Sequence, residues 1–249
     1  MAEKPRDFRA LGARLGKWTP PQNAFDPAAA WTLNYSRQAL VPERNGAPGG
    51  ARSGALTIMH APGPDATRLR ATESVSAGFS SPTYTADIDC ANDALLTPQR
   101  WTLDIRWVSG PQAKLKNPGE IDQTRGGRVE GREIVHKGAR DRRCPAPERW
   151  TAFWNLFAVV PRLPFEASSV LTFDLFEELD LHKPDQRLAY IGQRTLKLNG
   201  QPLALHVFEQ TGRGMLPWRW WVDAQHRVIL AAGDRRAYLL DETKRGGAA

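Results

Sequence analysis

Five histidines, two cysteines and scattered carboxylates are the residues of this chain that can do chemistry, and their spacing is the first constraint. His60, His136, His182, His206 and His226 form no HExxH motif and no i, i+4 pair of the kind that holds a metal on a helix face. Structural or solvent-exposed roles are therefore expected for them. No GxSxG elbow presents a nucleophilic serine, and neither Cys90 nor Cys144 has a histidine partner marked by sequence. Cys90 shares a strand phase with Ile88, which predicts a buried, inert thiol. Asp87 and Asp89 share a strand face, where a carboxylate pair could act as acid and base, but that outward phase reads as a solubilising surface. The acidic corner Glu177-Glu178-Leu179-Asp180 reads the same way. No P-loop or dinucleotide-type GxGxxG is present, and Gly126-Gly127 leads into no helix. An enzyme is thus the least favoured class, and no cofactor or metal is expected.

Charge offers a different chemistry. The chain carries a formal net charge of +7, which favours anionic partners or surfaces and says nothing about fold. Residues 125–149 hold eight basic against four acidic side chains, a large share of that excess. Arg125, Arg128, Arg132, Arg140, Arg142 and Arg143 are the candidates for binding nucleic acid or another anionic polymer or surface. Such binding would weaken steeply with salt as counterions are released.

The elements that must position these residues are mostly strands. From about Arg187 to Asp241 the chain reads as an antiparallel meander, with turns at Asn199-Gly200, at Asp223-Ala224-Gln225-His226 and at Gly233-Asp234. Upstream, Trp31-Leu33-Tyr35, Leu56-Ile58-His60 and Leu69-Ala71-Val75 alternate with polar residues, and Ser80 to Pro82 reads as a turn. Tyr84-Ala86-Ile88-Cys90 and Trp101-Leu103-Ile105-Trp107 show the strict period of two that marks a sheet wetted on one side. Gly110 to Arg132 reads as a loop or long hairpin tip, with a short strand Glu133–His136 after it. Trp150, Phe153, Trp154 and Phe157 fall at i, i+3, i+4 and i+7, predicting a helix over about 147–160 between Pro147 and Pro161. The fold expected is mainly β: a strongly curved antiparallel sheet or open barrel with this aromatic helix on its concave face. One domain would span 24–243, flanked by a loose basic arm (1–23) and a frayed tail (244–249).

Near the C-terminus, Trp220-Trp221-Val222-Asp223, a turn, Arg227-Val228-Ile229-Leu230 and Arg236-Ala237-Tyr238-Leu239-Leu240 form a pattern that resembles the LolA/LolB-type half-barrels of bacterial envelopes and exported families around them. The resemblance covers roughly the last 30 residues, and no ligand-contacting motif is matched residue by residue. It implies an envelope location and carriage of acyl chains within a half-barrel under a helical lid.

Together these features favour a non-enzymatic envelope protein whose curved sheet encloses an apolar or amphipathic ligand, such as a lipid. The aromatic candidates for its lining are Trp101, Trp107, Trp150, Phe153, Trp154, Phe157, Trp218 and Trp220. Nothing resembles a signal peptide or a transmembrane run, so a periplasmic location would require a removed leader; otherwise the chain is cytoplasmic. A disulfide between Cys90 and Cys144 would favour export. It would close a loop of roughly 55 residues and stabilise by ~4 kcal/mol on the chain-entropy model.

Overall fold

The computed structural model describes residues 18–39, 52–76, 80–109, 121–138, 140–198, 201–233 and 236–241. Within them the chain is mainly β, and every strand belongs to one sheet. Its first half contains β1 (Trp31–Ala39), β2 (Arg52–Ala61), β3 (Thr67–Val75), β4 (Ser80–Cys90), β5 (Pro98–Ser109), β6 (Ile121–Glu130), β7 (Glu133–Lys137) and β8 (Arg142–Pro145). Its second half contains β9 (Trp150–Ala152), β10 (Val170–Glu177), β11 (Leu181–Leu198), β12 (Gln201–Thr211), β13 (Trp218–Val222), β14 (Val228–Gly233) and β15 (Arg236–Leu240). The first half is a meander, as are β10 to β15 of the second, and they join where the first strand pairs with the last, Tyr35 opposite Leu240 and Arg37 opposite Tyr238. The edges are β8 and β9, neighbours in the chain.

The sheet does not close into a barrel. The outer edge of β9 is already occupied by the loop after β4: Thr97 donates to the Trp150 carbonyl at 3.1 Å and the Thr151 hydroxyl donates to the Leu95 carbonyl at 2.7 Å. The first of these bonds occupies the outward Trp150 carbonyl that a further strand would have used. Side chains from the two ends of the sheet nevertheless meet, with Trp101 of β5 edge-on to Trp150 of β9 at 5.9 Å between ring centroids.

The expected helix over 147–160 is shorter and begins later. Trp150–Ala152 is a strand, paired in parallel with β10, and only Leu156–Val159 is α-helical (α1), followed by a 3₁₀ turn over Val160–Arg162. Parallel pairing demands a crossover, and the segment from Phe153 to Ser169 supplies it. Residues 150–161 are buried without exception, Thr151 and Asn155 included, so the aromatic spacing reports a plug buried on every side rather than one stripe of an amphipathic helix. Phe157 touches Tyr35, Trp220 and Tyr238, seating the plug on β1, β13 and β15.

Two further expectations are corrected. Ser80 to Pro82 is the start of β4, not a turn, and residues 121–130 of the supposed loop are β6. The glycines that made this stretch look unstructured have a packing reason. A Cβ on Gly127 would lie 2.1 Å from the Trp101 ring, so only glycine lets the indole lie across the strand. The meander from β11 to β15 and the turn at 223–226 are as read, although β11 starts earlier, at Leu181. Asn199-Gly200 and Asp234 lie outside the described residues. Of the basic arm, residues 18–23 are tied to the sheet: Trp18 donates to the Leu240 carbonyl at 2.7 Å, and Arg227 donates to the Asn23 carbonyl at 2.6 Å.

Candidate functional site

Antiparallel order places the ends of β1, β3, β5, β10 and β12 and the starts of β2, β4, β6, β11, β13 and β15 at one end of the sheet. Charged side chains gather there in positions that the period of two assigns to the core. Glu73 shares a phase with Leu69 and Ala71, and Arg37 shares one with Leu33 and Tyr35. Glu73 is 6% exposed. It accepts hydrogen bonds from Tyr238 Oη at 2.7 Å and Trp154 Nε1 at 3.0 Å, and Arg37 Nε lies 3.2 Å from it. A buried carboxylate is costly unless charge and donors surround it, and β1, β15 and the plug each contribute one. Burial, reinforced by Glu73, pushes the Tyr238 hydroxyl far above its ordinary range, so it stays a donor.

Beside this cluster Glu177, at the end of β10, is shared by Lys183 and Arg236. Burial works against its charge, but the two cations more than offset that and hold the carboxyl below the usual range. The Arg236 guanidinium lies over Phe153 at 5.0 Å and Trp218 at 5.4 Å. Between these groups opens a cleft of about 640 Å³, lined by Arg37, Lys183 and Arg236, by Glu177, and by Met215, Leu216 and Trp218. The lining itself holds three cations and one carboxylate, and Glu73 behind Arg37 with Glu178 beside Glu177 brings the cluster to three carboxylates.

The turn from β10 to β11 carries the acidic corner. Glu178 and Leu179 both have positive φ, 51° and 57°, and the Asp180 amide donates to the Glu177 carbonyl. This is the geometry of a type I′ turn, built without the Gly or Asn that usually occupies it. Leu179 is buried. Glu178 is half-buried, and its burial together with Glu177 and Glu73 raises its pKa. Asp180 takes Arg125 of β6 and Arg142 of β8, linking the two ends of the sheet by side chains.

The eight aromatic candidates are brought together. Trp101, Trp150, Phe153, Trp154, Phe157, Trp218 and Trp220 are each at most 4% exposed, and Trp107 is partly buried. They pack on one another, Phe153 against Trp218 at 5.0 Å and Phe157 against Trp220 at 5.1 Å. Trp218 borders the large cleft. The six arginines do not share one face. Arg125 and Arg142 converge on Asp180, whereas Arg128 pairs with Glu130, and Arg143 with Glu130 and Glu133, on the opposite phase. Arg132 and Arg140 are exposed.

Both cysteines are free thiols in the structure. Cys90 is buried beside Asn155, and its thiol is pushed up to about 12 chiefly by burial. Cys144 lies 3.8 Å from His136 Nε2. That neighbour is invisible in sequence because it depends on the β7–β8 register, which sets His136 opposite Arg142. Arg37, Glu73, Lys183 and Arg236 were also missed. Their signal was a charge in an inward strand phase, legible for Arg37 and Glu73 once the phase is assigned. Among the described residues no three of His, Cys, Asp and Glu converge to hold a metal ion. Comparison with protein-family models, curated proteins and solved structures found no match for this chain.

Proposed function

We propose that this is a non-enzymatic envelope protein whose sheet curls into an open half-barrel and takes up an amphipathic anion at one end. The observation that carries the reading is the cleft of about 640 Å³, whose lining combines Arg37, Lys183 and Arg236 with Met215, Leu216 and Trp218. Its size falls in the range of sites for small organic ligands, and its lining joins four charged side chains to three apolar ones. The cations receive a carboxylate or similar head, and the apolar side chains receive the chain. Aromatic side chains fill the interior behind it, so the ligand lies at the mouth. The half-barrel rests on contacts between the two ends of the sheet, and the envelope location rests on the C-terminal resemblance.

Native mass spectrometry and tryptophan emission with dodecanoate, dodecanol and dodecyltrimethylammonium test this. Dodecanoate is expected to bind one per chain and shift the emission of Trp218, with the alcohol weaker and the cation weakest. Lys183→Gln should weaken dodecanoate about tenfold, the scale of one lost charge-assisted hydrogen bond. No dodecanoate binding, or equal binding of the alcohol, removes the reading.

A further inference from the structure

A second, smaller cleft of about 220 Å³ lies across the turn from the first, at the seam between the two ends of the sheet. Its lining includes Arg125, Lys137, Arg140 and Arg142, with Glu178 and Asp180 as its carboxylates and His136 at its side. We propose that this seam cleft is a binding site for a single phosphate group, carried by a small soluble phosphate or by a lipid headgroup.

Charge is the first argument. Four cations face two carboxylates in the lining, and Lys137 is also bonded to Asp141. Arg140 is exposed and has no ion pair among the described residues. The positive surplus thus faces the cleft instead of being neutralised within it.

Geometry is the second. Asp180 holds Arg125 through one carboxylate oxygen and Arg142 through the other, and its carbonyl accepts from Arg142 at 3.1 Å. Each guanidinium has five N–H donors, and these bonds occupy two on Arg125, counting Gln123, and a single nitrogen of Arg142. Asp180 therefore fixes the two forks without saturating them, which is the preorganisation that bidentate phosphate recognition needs. Gly126 and Gly138 line the same cleft and leave the backbone open to close approach. A volume below that of typical drug-sized sites matches one small anion. Three of the six arginines grouped by sequence, Arg125, Arg140 and Arg142, converge here.

The test titrates the full chain with inorganic phosphate by calorimetry at constant ionic strength, beside sodium chloride as a control. In a parallel arm, vesicles of phosphatidylcholine with and without phosphatidic acid are sedimented with the protein. Saturable phosphate binding is expected, weakened tenfold or more by Arg140→Gln, at an exposed position, and by Arg142→Gln. Arg128→Gln, on the opposite face of β6, should leave it unchanged. The same mutational pattern seen only with phosphatidic acid vesicles assigns the phosphate to a lipid headgroup. No saturable response in either arm, or one that survives both arginine substitutions, overturns the proposal. Dodecanoate binding is read separately, so the two sites fail independently.

Discussion

On β3, Glu73 occupies the face that Leu69 and Ala71 commit to the core, and a residue there must import its own solvation. Tyr238, Trp154 and Arg37 supply it from three separate elements. Glu178, on the turn from β10 to β11, is supplied less well: burial and its carboxylate neighbours disfavour its charge, and Arg236 and Arg125 offset them only in part. Its folded pKa lies above the unfolded one, so its contribution to stability is full below the unfolded value and lost as pH rises through the folded value. Glu178→Gln is accordingly expected to raise the urea midpoint at pH 7 and leave it unchanged at pH 3. A variant less stable than the parent at pH 7 would show that the charge is a stabilising partner.

At the scale of elements, β6 shows packing overriding propensity. Two adjacent glycines weaken a strand, yet here they let the Trp101 indole lie across it and reach Trp150 and His136. Gly127→Ala would set a methyl 2.1 Å from that ring, which also holds edge contacts with His136 and Trp150. The expected loss is about 1–3 kcal/mol, the usual cost of overpacking. Gly126→Ala meets only the Trp101 carbonyl oxygen, at 3.2 Å, and should lose less. Urea denaturation of both variants checks the order, and equal midpoints would contradict it.

For the whole molecule, histidines link packing to pH. His60 is 1% exposed, with Nδ1 2.8 Å from the Ala29 carbonyl and Nε2 2.8 Å from Arg162, so a neutral ring donates to one and accepts from the other. It thereby joins the N-terminal segment to the end of the plug. Burial holds its pKa below the ordinary value, and burial does the same for His136 and His206. The unfolded chain therefore binds more protons than the folded one just below pH 6.5. Stability is full above that value and falls as pH drops through it towards the folded pKa values. A lower urea midpoint at pH 5 than at pH 7.5 is expected, with the difference reduced in His60→Gln. A midpoint flat across that window would contradict the burial account.

What the residues declare by themselves is local. Period-two alternation in Tyr84–Cys90 and Trp101–Trp107 marks strands because successive side chains must face opposite sides, and the turn at 223–226 follows from its residue types. That logic made the mainly β class and the C-terminal meander legible. It could not separate the aromatic spacing of Trp150–Phe157 from a helix, because the same residues satisfy a short strand and a turn once β10 lies beside them. Nor could it read Gly126-Gly127, whose reason is a tryptophan some 25 positions earlier in the chain. Pairing of the first strand with the last, the meeting of Glu73 with Tyr238 and the sharing of Asp180 by Arg125 and Arg142 all join residues distant in sequence. Only the tertiary structure decides them, because the register between distant strands is set by the packing of the whole sheet, which no local window contains.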